Sequence, residues 1–558
     1  MKGKQDMKKH IILTLTAAAF VLTACEKDFL ERYPEGGTIR QDQYEKLDNQ
    51  LEGSVRGMYA RLYTMGGSSH DEFGKRSIDL WTDILASDIA LTGKTYGWLY
   101  TDEQMLTTNR TGTIWGFYFS QIHNINATIK AFKNGNTFLS TLEENGWPSE
   151  LAASGMKKAQ MDSIYNKTAY TNALYYAQVL GLRGYMYSQL AKFYTPVQES
   201  DKFLADSIGN FDCVPLYNED NMDAFQPLST SAAVYNQAFS DLEMSIKLFE
   251  EFGANYVRDS KLELDREVVC GILAMAYLNE CVYRAGTPLY TVHVQKALDN
   301  AEKVINSNKY QTLKESELLT TGFNSVTDPG WIWAQEVTVE TSGGLKSWFG
   351  QVDIHSYSYA WAGDTKVIDA TLRDMIPAWD KRRLWFNDGK ANSIYKDCPD
   401  GKFFSAMNPY STDADDIDRD WLSDNVFMRI ESMYLIAAEA NWRLGDFTQA
   451  ASYLTTITDQ RVDTTAFLWE DEYNSFKTGL SASNSLKDAI IYNWRIEMWG
   501  EGYGLDTFRR FGEQRKRGGN HDYAKGVAII PSDSKFNFSI PSSENTYNPY
   551  LRDKTTQN

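Results

Sequence analysis

The chain has 558 residues, of which 42% are hydrophobic, and a formal net charge of −18. That length fills one large core or two to three intimate domains, and the acidity argues against nucleic acid or anionic membrane surfaces as partners. Aromatics are abundant, with 15 Trp, 33 Tyr and 27 Phe; such rings usually fill cores, but Trp and Tyr in this number also suit a surface that stacks on the C–H faces of sugar rings.

The first element is a leader. Lys2, Lys4, Lys8 and Lys9 precede an uncharged run from Ile11 to Leu22, too short for a spanning helix of ~20 residues. A basic head, a short apolar middle and small residues at the end describe a secretory signal peptide over residues 1–24, and Met7 is an equally good second start. Leu22-Thr23-Ala24-Cys25 resembles the bacterial lipobox, which predicts lipid attachment at Cys25. Two or three acyl chains hold a protein stably, at ~0.8 kcal/mol per buried methylene; the alternative is a secreted protein with an incidental cysteine at the cut. No later stretch reaches membrane-spanning length without charges. Cys213, Cys270, Cys281 and Cys398 match no zinc spacing, and no disulfide framework is expected of them.

Helical periodicity then recurs. Asn49 to Leu62 is followed, after a long insertion, by TIWGFYFSQIHNINATIKAF at 113–132. Tyr170 to Tyr194 is followed, after another, by AVYNQAFSDLEMSIKLFEEF at 233–252. Val268 to Tyr283 precedes VQKALDNAEKVINSNKY, with Tyr283, Arg284 and Tyr290 flanking a third inserted turn. The clearest pattern is Phe427 to Val462: Met433, Ile436, Ala437, Ala440 and Leu444 form one stripe, Gly445-Asp446 breaks it, and Ala450, Tyr453, Leu454 and Ile457 form the next. This is the spacing of a tetratricopeptide hairpin. The expected fold is mainly α: a tetratricopeptide-like scaffold of four helix pairs, with long inserted loops where binding residues tend to sit. Residues 310–425 are rich in Gly, Ser, Asp and aromatics, GWIWAQEVTVE alternates like a strand, and the tail after Gly512 is loop-like. Expected boundaries are an N-terminal helical region over 25–265 and a C-terminal region over 266–558 that includes the loop-rich 310–425 and short strands.

Several blocks, in order, resemble the SusD/RagB family of surface lipoproteins from glycan-uptake systems. They are CEKDFLERYP after the lipobox; the W-x-x-Y-x-x-x-I-x-x-x-N helix, with Trp115, Tyr118, Ile122 and Asn126; QVLGLRGYMYSQLAKFY with VPL at 214–216; RIESMYLIAAEANWRLGD; NWRIEMWGEGYGLDTFRRFG at 493–512; and FSIPSSENTYNP. The chain departs from the family where Trp494-Arg495 replaces a double arginine and Tyr503 replaces an arginine. The resemblance implies a helical scaffold with an irregular C-terminal subdomain and no bond broken; no cofactor is expected. It also implies a lid role on a SusC-like TonB-dependent transporter of the outer membrane, capturing an oligosaccharide and delivering it. Glu26 and Asp28 resemble signals that send such lipoproteins to the cell exterior.

A sugar ligand needs aromatic platforms and hydrogen bonders at their rim. The insertion before the Trp115 helix offers Tyr96, Trp98 and Tyr100 between glycines, with Asp83 on a helix-like segment beside Trp81 and Asp88, where core packing and capping compete. A second candidate is Trp348 with Tyr357, Tyr359 and Trp361; if extended, the last three share one face, either a platform or a buried strand face. Tyr283, Arg284 and Tyr290 form a third. Trp331 and Trp333 are expected in the core.

Glu497 and Glu501, four apart, differ from a glycosidase pair placed across a substrate and are expected to partner Arg495, Arg509 and Arg510. GEGYG ends a helix, unlike a dinucleotide loop. DADDIDRD at 413–420 fails the EF-hand pattern, with Asp418 where Gly is needed and Asp424 where Glu is expected; a solvated acidic loop is favoured over structural calcium. The alternatives to glycan capture are a secreted glycan hydrolase on a helical scaffold and capture of a peptide cargo.

Overall fold

The apolar stripes are helices in the computed structural model of the protein, which describes residues 50–65, 70–93, 108–135, 137–197, 207–405, 422–533 and 536–555. Two units are distinguished, Met1–Ser54 and Val55–Asn558, and the architecture below is that of the second, apart from the opening turn of its first helix. The principal helices are α1 (Gln50–Ala60), α2 (Lys75–Leu85), α3 (Thr108–Gly135), α4 (Lys167–Tyr194), α5 (Ser231–Phe252), α6 (Arg266–Cys281), α7 (Pro288–Ile305), α8 (Ile430–Leu444), α9 (Phe447–Thr458), α10 (Ser483–Glu497) and α11 (Gly504–Phe511). Short polar side chains start several of them by accepting from an otherwise orphaned amide: Asn166 from Ala169, Thr230 from Ala233, Asp265 from Val268 and Asp446 from Gln449.

From α3 to α9 each helix packs on its successor. The pairs run antiparallel: Arg183 of α4 meets Asp241 of α5 at 2.7 Å, and Ser245 Oγ donates to the Ala177 carbonyl at 2.6 Å. Gly184 permits this approach, because a Cβ there would lie 2.6 Å from Leu242 Cγ. Gly445, at φ +88°, ends α8 in the left-handed conformation and turns the chain into α9. The connection between α6 and α7, read in the sequence as a long insertion, spans only 282–287, and its first residues form a 3-10 turn, Val282–Arg284.

The strands are short: β1 (Ile89–Leu91), β2 (Asp212–Pro215), β3 (Leu228–Thr230), β4 (Trp331–Gln335), β5 (Lys366–Ile368), β6 (Asn425–Arg429), β7 (Arg515–Lys516) and β8 (Ala528–Ile529). Among the described residues they form four antiparallel two-stranded sheets, β1–β5, β2–β3, β4–β6 and β7–β8. The alternating WIWAQ is the strand β4, and Trp331 and Trp333 are buried as expected. Cys213, Cys270, Cys281 and Cys398 are unpaired and buried. Among the described residues no helix is long and apolar enough to cross a membrane.

Candidate functional site

The β1–β5 ladder pairs Ile89 with Ile368, Ala90 with Val367 and Leu91 with Lys366. All six residues are buried, so the ladder is a rigid clamp between segments far apart in sequence. Thr92 and Thr365 hydroxyls meet at 2.6 Å just beyond it. The segment that feeds β5 begins with the short helix Trp348–Val352, capped by Ser347, and then folds into bends and turns up to Asp364.

Hydrogen bonds fix that loop. Asp353 accepts from the His355 amide at 2.9 Å and from Ser356 Oγ at 2.6 Å. Ser358 Oγ donates to the Asp353 carbonyl and accepts from the Trp361 amide. The Tyr359 amide donates to the Gly350 carbonyl at 2.9 Å, and Tyr395 Oη donates to the Trp361 carbonyl at 3.0 Å. Beneath lie Ala90, Ile354, Ala360, Val367 and Cys398, with Tyr395 packed against them. On this base Tyr357 and Trp361 remain 47% and 38% exposed. Their ring centroids are 5.5 Å apart with planes at 55°. The sequence placed Tyr357, Tyr359 and Trp361 on one extended face; the turn instead brings Tyr357 to Trp361 and sends Tyr359 against His70, 4.6 Å away.

Tyr357 and Trp361 thus form a shallow cup of two exposed, non-coplanar rings on a hydrogen-bonded loop. The charges nearby are satisfied internally. Lys366 and Asp364 pair at 2.8 Å while buried. The Asp353 carboxyl is pushed up by burial, against the pull of its Ser356 and His355 hydrogen bonds. The cup therefore presents rings and hydroxyls rather than a net charge.

The remaining candidates separate by burial. Trp348 is 1% exposed, with the Arg76 guanidinium 4.0 Å from its ring and Phe403 edge-on at 5.0 Å; it belongs to the core because helix capping by Ser347 turns it inward. Asp83 is buried and accepts from the Gly502 and Gly504 amides at 3.1 and 2.8 Å, and burial beside Asp88 pushes it up to about 8; it ties α2 to the entry of α11 and cannot reach a surface ligand. Tyr283 and Arg284 are buried because the turn that holds them is short, and Arg284 pairs with Glu280. Tyr290 is half-buried against Arg443. Cys25, Tyr96, Trp98, Tyr100 and the acidic run 413–420 lie outside the described residues.

Glu497 and Glu501 are saturated by buried cations, though not those expected. Glu497 receives Arg382 at 2.9 Å, Arg461 at 2.8 and 2.7 Å and Arg429 at 2.7 Å. Glu501 receives Arg429 at 2.9 Å and Lys402 at 2.7 Å. Three guanidiniums hold Glu497 well below the usual carboxylate range despite burial, Arg461 most strongly. Arg495 instead meets Asp88 at 2.7 Å, because two residues along a helix point to different faces. Arg510 pairs with Glu439, and Arg509 donates to the Lys192 and Phe536 carbonyls. Where the family has a double arginine, Trp494 Nε1 donates to Glu439 at 2.9 Å.

Sequence reasoning missed Tyr395, which holds the Trp361 carbonyl from 34 residues downstream, and His70, which packs on Tyr359 from another loop. No local signal marks either one.

A row of antiparallel helical hairpins with a loop-rich C-terminal part defines a helical-repeat scaffold protein. The SusD family model matches residues 216–555, and the chain belongs to the SusD family. Solved structures share the fold. A SusD-like carbohydrate binding protein from Bacteroides vulgatus is 21% identical, with TM-score 0.64, over 90% of this chain and 97% of that one. A SusD superfamily protein from Bacteroides thetaiotaomicron is 17% identical, with TM-score 0.65, over 90% and 98%. Surface glycan-binding protein A from Bacteroides uniformis is 15% identical, with TM-score 0.58, over 90% and 99%. No curated protein matches the sequence.

Proposed function

We propose that the protein captures oligosaccharides on the Tyr357–Trp361 cup and delivers them to a SusC-like TonB-dependent transporter, without breaking a bond. The observation that carries this reading is the pair of exposed rings on a hydrogen-bonded loop. The β1–β5 clamp supports it, since the chain leaving β1 runs on in sequence to Tyr96, Trp98 and Tyr100. Membership of the SusD family agrees with it, as do two fold relatives, one a carbohydrate binding protein and one a surface glycan-binding protein. A hydrolase reading is disfavoured by Glu497 and Glu501, whose oxygens are filled by buried cations. On this reading a lipid on Cys25 anchors the body at the outer membrane, facing the exterior, and the signal-peptide-like leader and lipobox-like Leu22–Cys25 support it.

Calorimetry of the mature chain against a panel of oligosaccharides and peptides tests the cargo. The Trp361→Ala variant should bind glycan about five- to 150-fold more weakly, since losing an aromatic stack costs on the order of 1–3 kcal/mol. Binding of peptides alone, or new reducing ends on incubation with glycan, defeats the reading. Radiolabelled palmitate that enters the wild type but not Cys25→Ser tests the anchor.

A further inference from the structure

A cavity of about 370 Å³ that shares no residue with the Tyr357–Trp361 cup lies where α3, the loop after β2 and the C-terminal segment meet. Trp115, Phe119, Tyr217, Met222 and Phe225 line it, together with Glu544. Trp115 and Phe119 are 4.6 Å apart, and Tyr217 stands perpendicular to Phe119 at 5.7 Å. Phe225 is 46% exposed at its rim.

The walls are fixed before any ligand arrives. The Tyr217 carbonyl accepts from Asn126 Nδ2 at 3.0 Å and from Tyr187 Oη at 2.6 Å, and its amide donates back to Tyr187 Oη at 2.8 Å. Arg183 holds Glu219 at 2.8 Å and Asn126 Oδ1 at 3.1 Å. At the other end of the loop, Asn548 Nδ2 donates to the Gln226 carbonyl at 2.9 Å. A preformed cavity loses little entropy on filling.

Its titratable lining besides Tyr217 consists of Glu544, Asp223 and His123. Nearby acids are compensated: Asp223 by Lys130 at 3.1 Å, and Glu219 by Arg183 and Lys133. Glu544 is different. It is half-buried, its hydrogen bonds come from the neutral Trp115 and Asn548 side chains, and burial pushes its carboxyl up. Among the described residues no cationic side chain pairs with it. A carboxylate without a counter-charge beside several aromatic rings attracts a cation twice, through charge and through the ring faces.

We propose that this cavity binds a primary ammonium group carried on a compact body, with the ammonium on Glu544 and the body among Phe119, Tyr217 and Phe225. The site is distinct from the glycan cup and its assignment does not rest on that reading.

Calorimetry on the full mature chain tests it with two amines, glucosamine and Nα-acetyl-lysine methylamide, each against its neutral counterpart, glucose and Nα-acetyl-norleucine methylamide. At least one amine should bind, at least about tenfold more tightly than its counterpart. The amine that binds identifies a sugar or an alkyl carrier. Glu544→Gln keeps an oxygen for the Trp115 indole but removes the charge, so it should reduce amine binding to the neutral level while Trp361→Ala leaves it intact. Failure of both amines to bind, equal binding of the neutral counterparts, or full binding by Glu544→Gln overturns the proposal. Should Glu544→Gln melt early, Phe225→Ala at the exposed rim replaces it; unchanged amine binding there is equally fatal.

Discussion

Trp348 and Trp361 stand thirteen positions apart in sequence and look alike there, and the structure buries one and exposes the other. Trp348→Ala removes a ring that is 1% exposed, packed edge-on to Phe403 at 5.0 Å and lying under the Arg76 guanidinium at 4.0 Å. Emptying such a site costs about 3–5 kcal/mol from lost transfer energy and the residual cavity. Arg76 is itself buried and also loses its cation–π partner, worth on the order of 2 kcal/mol when desolvated, so the upper part of that range applies. Trp361→Ala removes a ring that is 38% exposed and leaves a surface notch that water fills. Its loop is held by main-chain bonds, the Trp361 carbonyl to Tyr395 and its amide to Ser358, which alanine retains. The stability cost should stay near ~1 kcal/mol, the centre of ordinary substitutions. Urea unfolding at pH 7 and glycan calorimetry, run on both variants, separate stability from affinity. The expected pattern is a large midpoint shift for Trp348→Ala alone, and a loss of glycan affinity with a near-native midpoint for Trp361→Ala. Equal destabilisation by the two variants, or a wild-type midpoint for Trp348→Ala, refutes the division of the aromatics into core and cup.

Other perturbations probe the buried charges and thiols. Glu497→Gln leaves Arg382, Arg429 and Arg461 facing a neutral group and should cost about 3–5 kcal/mol in urea unfolding. Because the folded Glu497 carboxyl is held well below 4.5, its contribution is present above the unfolded value and is lost as pH falls through the folded one; the gap between wild type and variant should be constant above about pH 5 and narrow in acid. Asp83 has the opposite sign. Its folded carboxyl lies at about 8 against a usual 3.8, so the folded state holds a proton that the unfolded chain releases. Wild type should therefore lose stability relative to Asp83→Asn as pH rises from about 4 to about 8, by at most ~1.4 kcal/mol per pH unit, with a flat difference above; a pH-independent difference in melting temperature contradicts the assignment. Burial raises all four body thiols, with Cys213, Cys270 and Cys281 pushed up to about 12. A thiol reagent should label them only on unfolding, and rapid labelling of the native chain at pH 8 counts against their burial.

What the sequence reveals here follows the range over which each force acts. The stripes of α8 and α9 and the Gly445 turn are legible because a helix repeats its buried face every few residues and a left-handed cap needs glycine. Trp331 and Trp333 are legible as core for the same local reason. The partners of Glu497 are not, because Arg382, Arg429 and Arg461 arrive from a 3-10 turn, a strand and the end of a helical hairpin. Chain proximity suggested Arg495, whose side chain leaves another face of the same helix for Asp88. The cup divides in the same way. Its rings are visible as letters, but their exposure depends on Asp353, Ser358 and Tyr395 folding the loop into turns where the alternation of Tyr357, Tyr359 and Trp361 suggested a strand. The aromatic cavity is the extreme case. Trp115 and Glu544 lie in motifs at opposite ends of the chain, and only the packing of the C-terminal segment on α3 brings an indole N–H to that carboxylate. Motifs quoted separately for family resemblance, Trp115 and Asn126, Arg183, Glu544 and Asn548, thus converge on one loop, 217–226, and one cavity. Their shared position assigns them a common physical task, holding that loop against α3 and α4, which the order of motifs along the chain does not state.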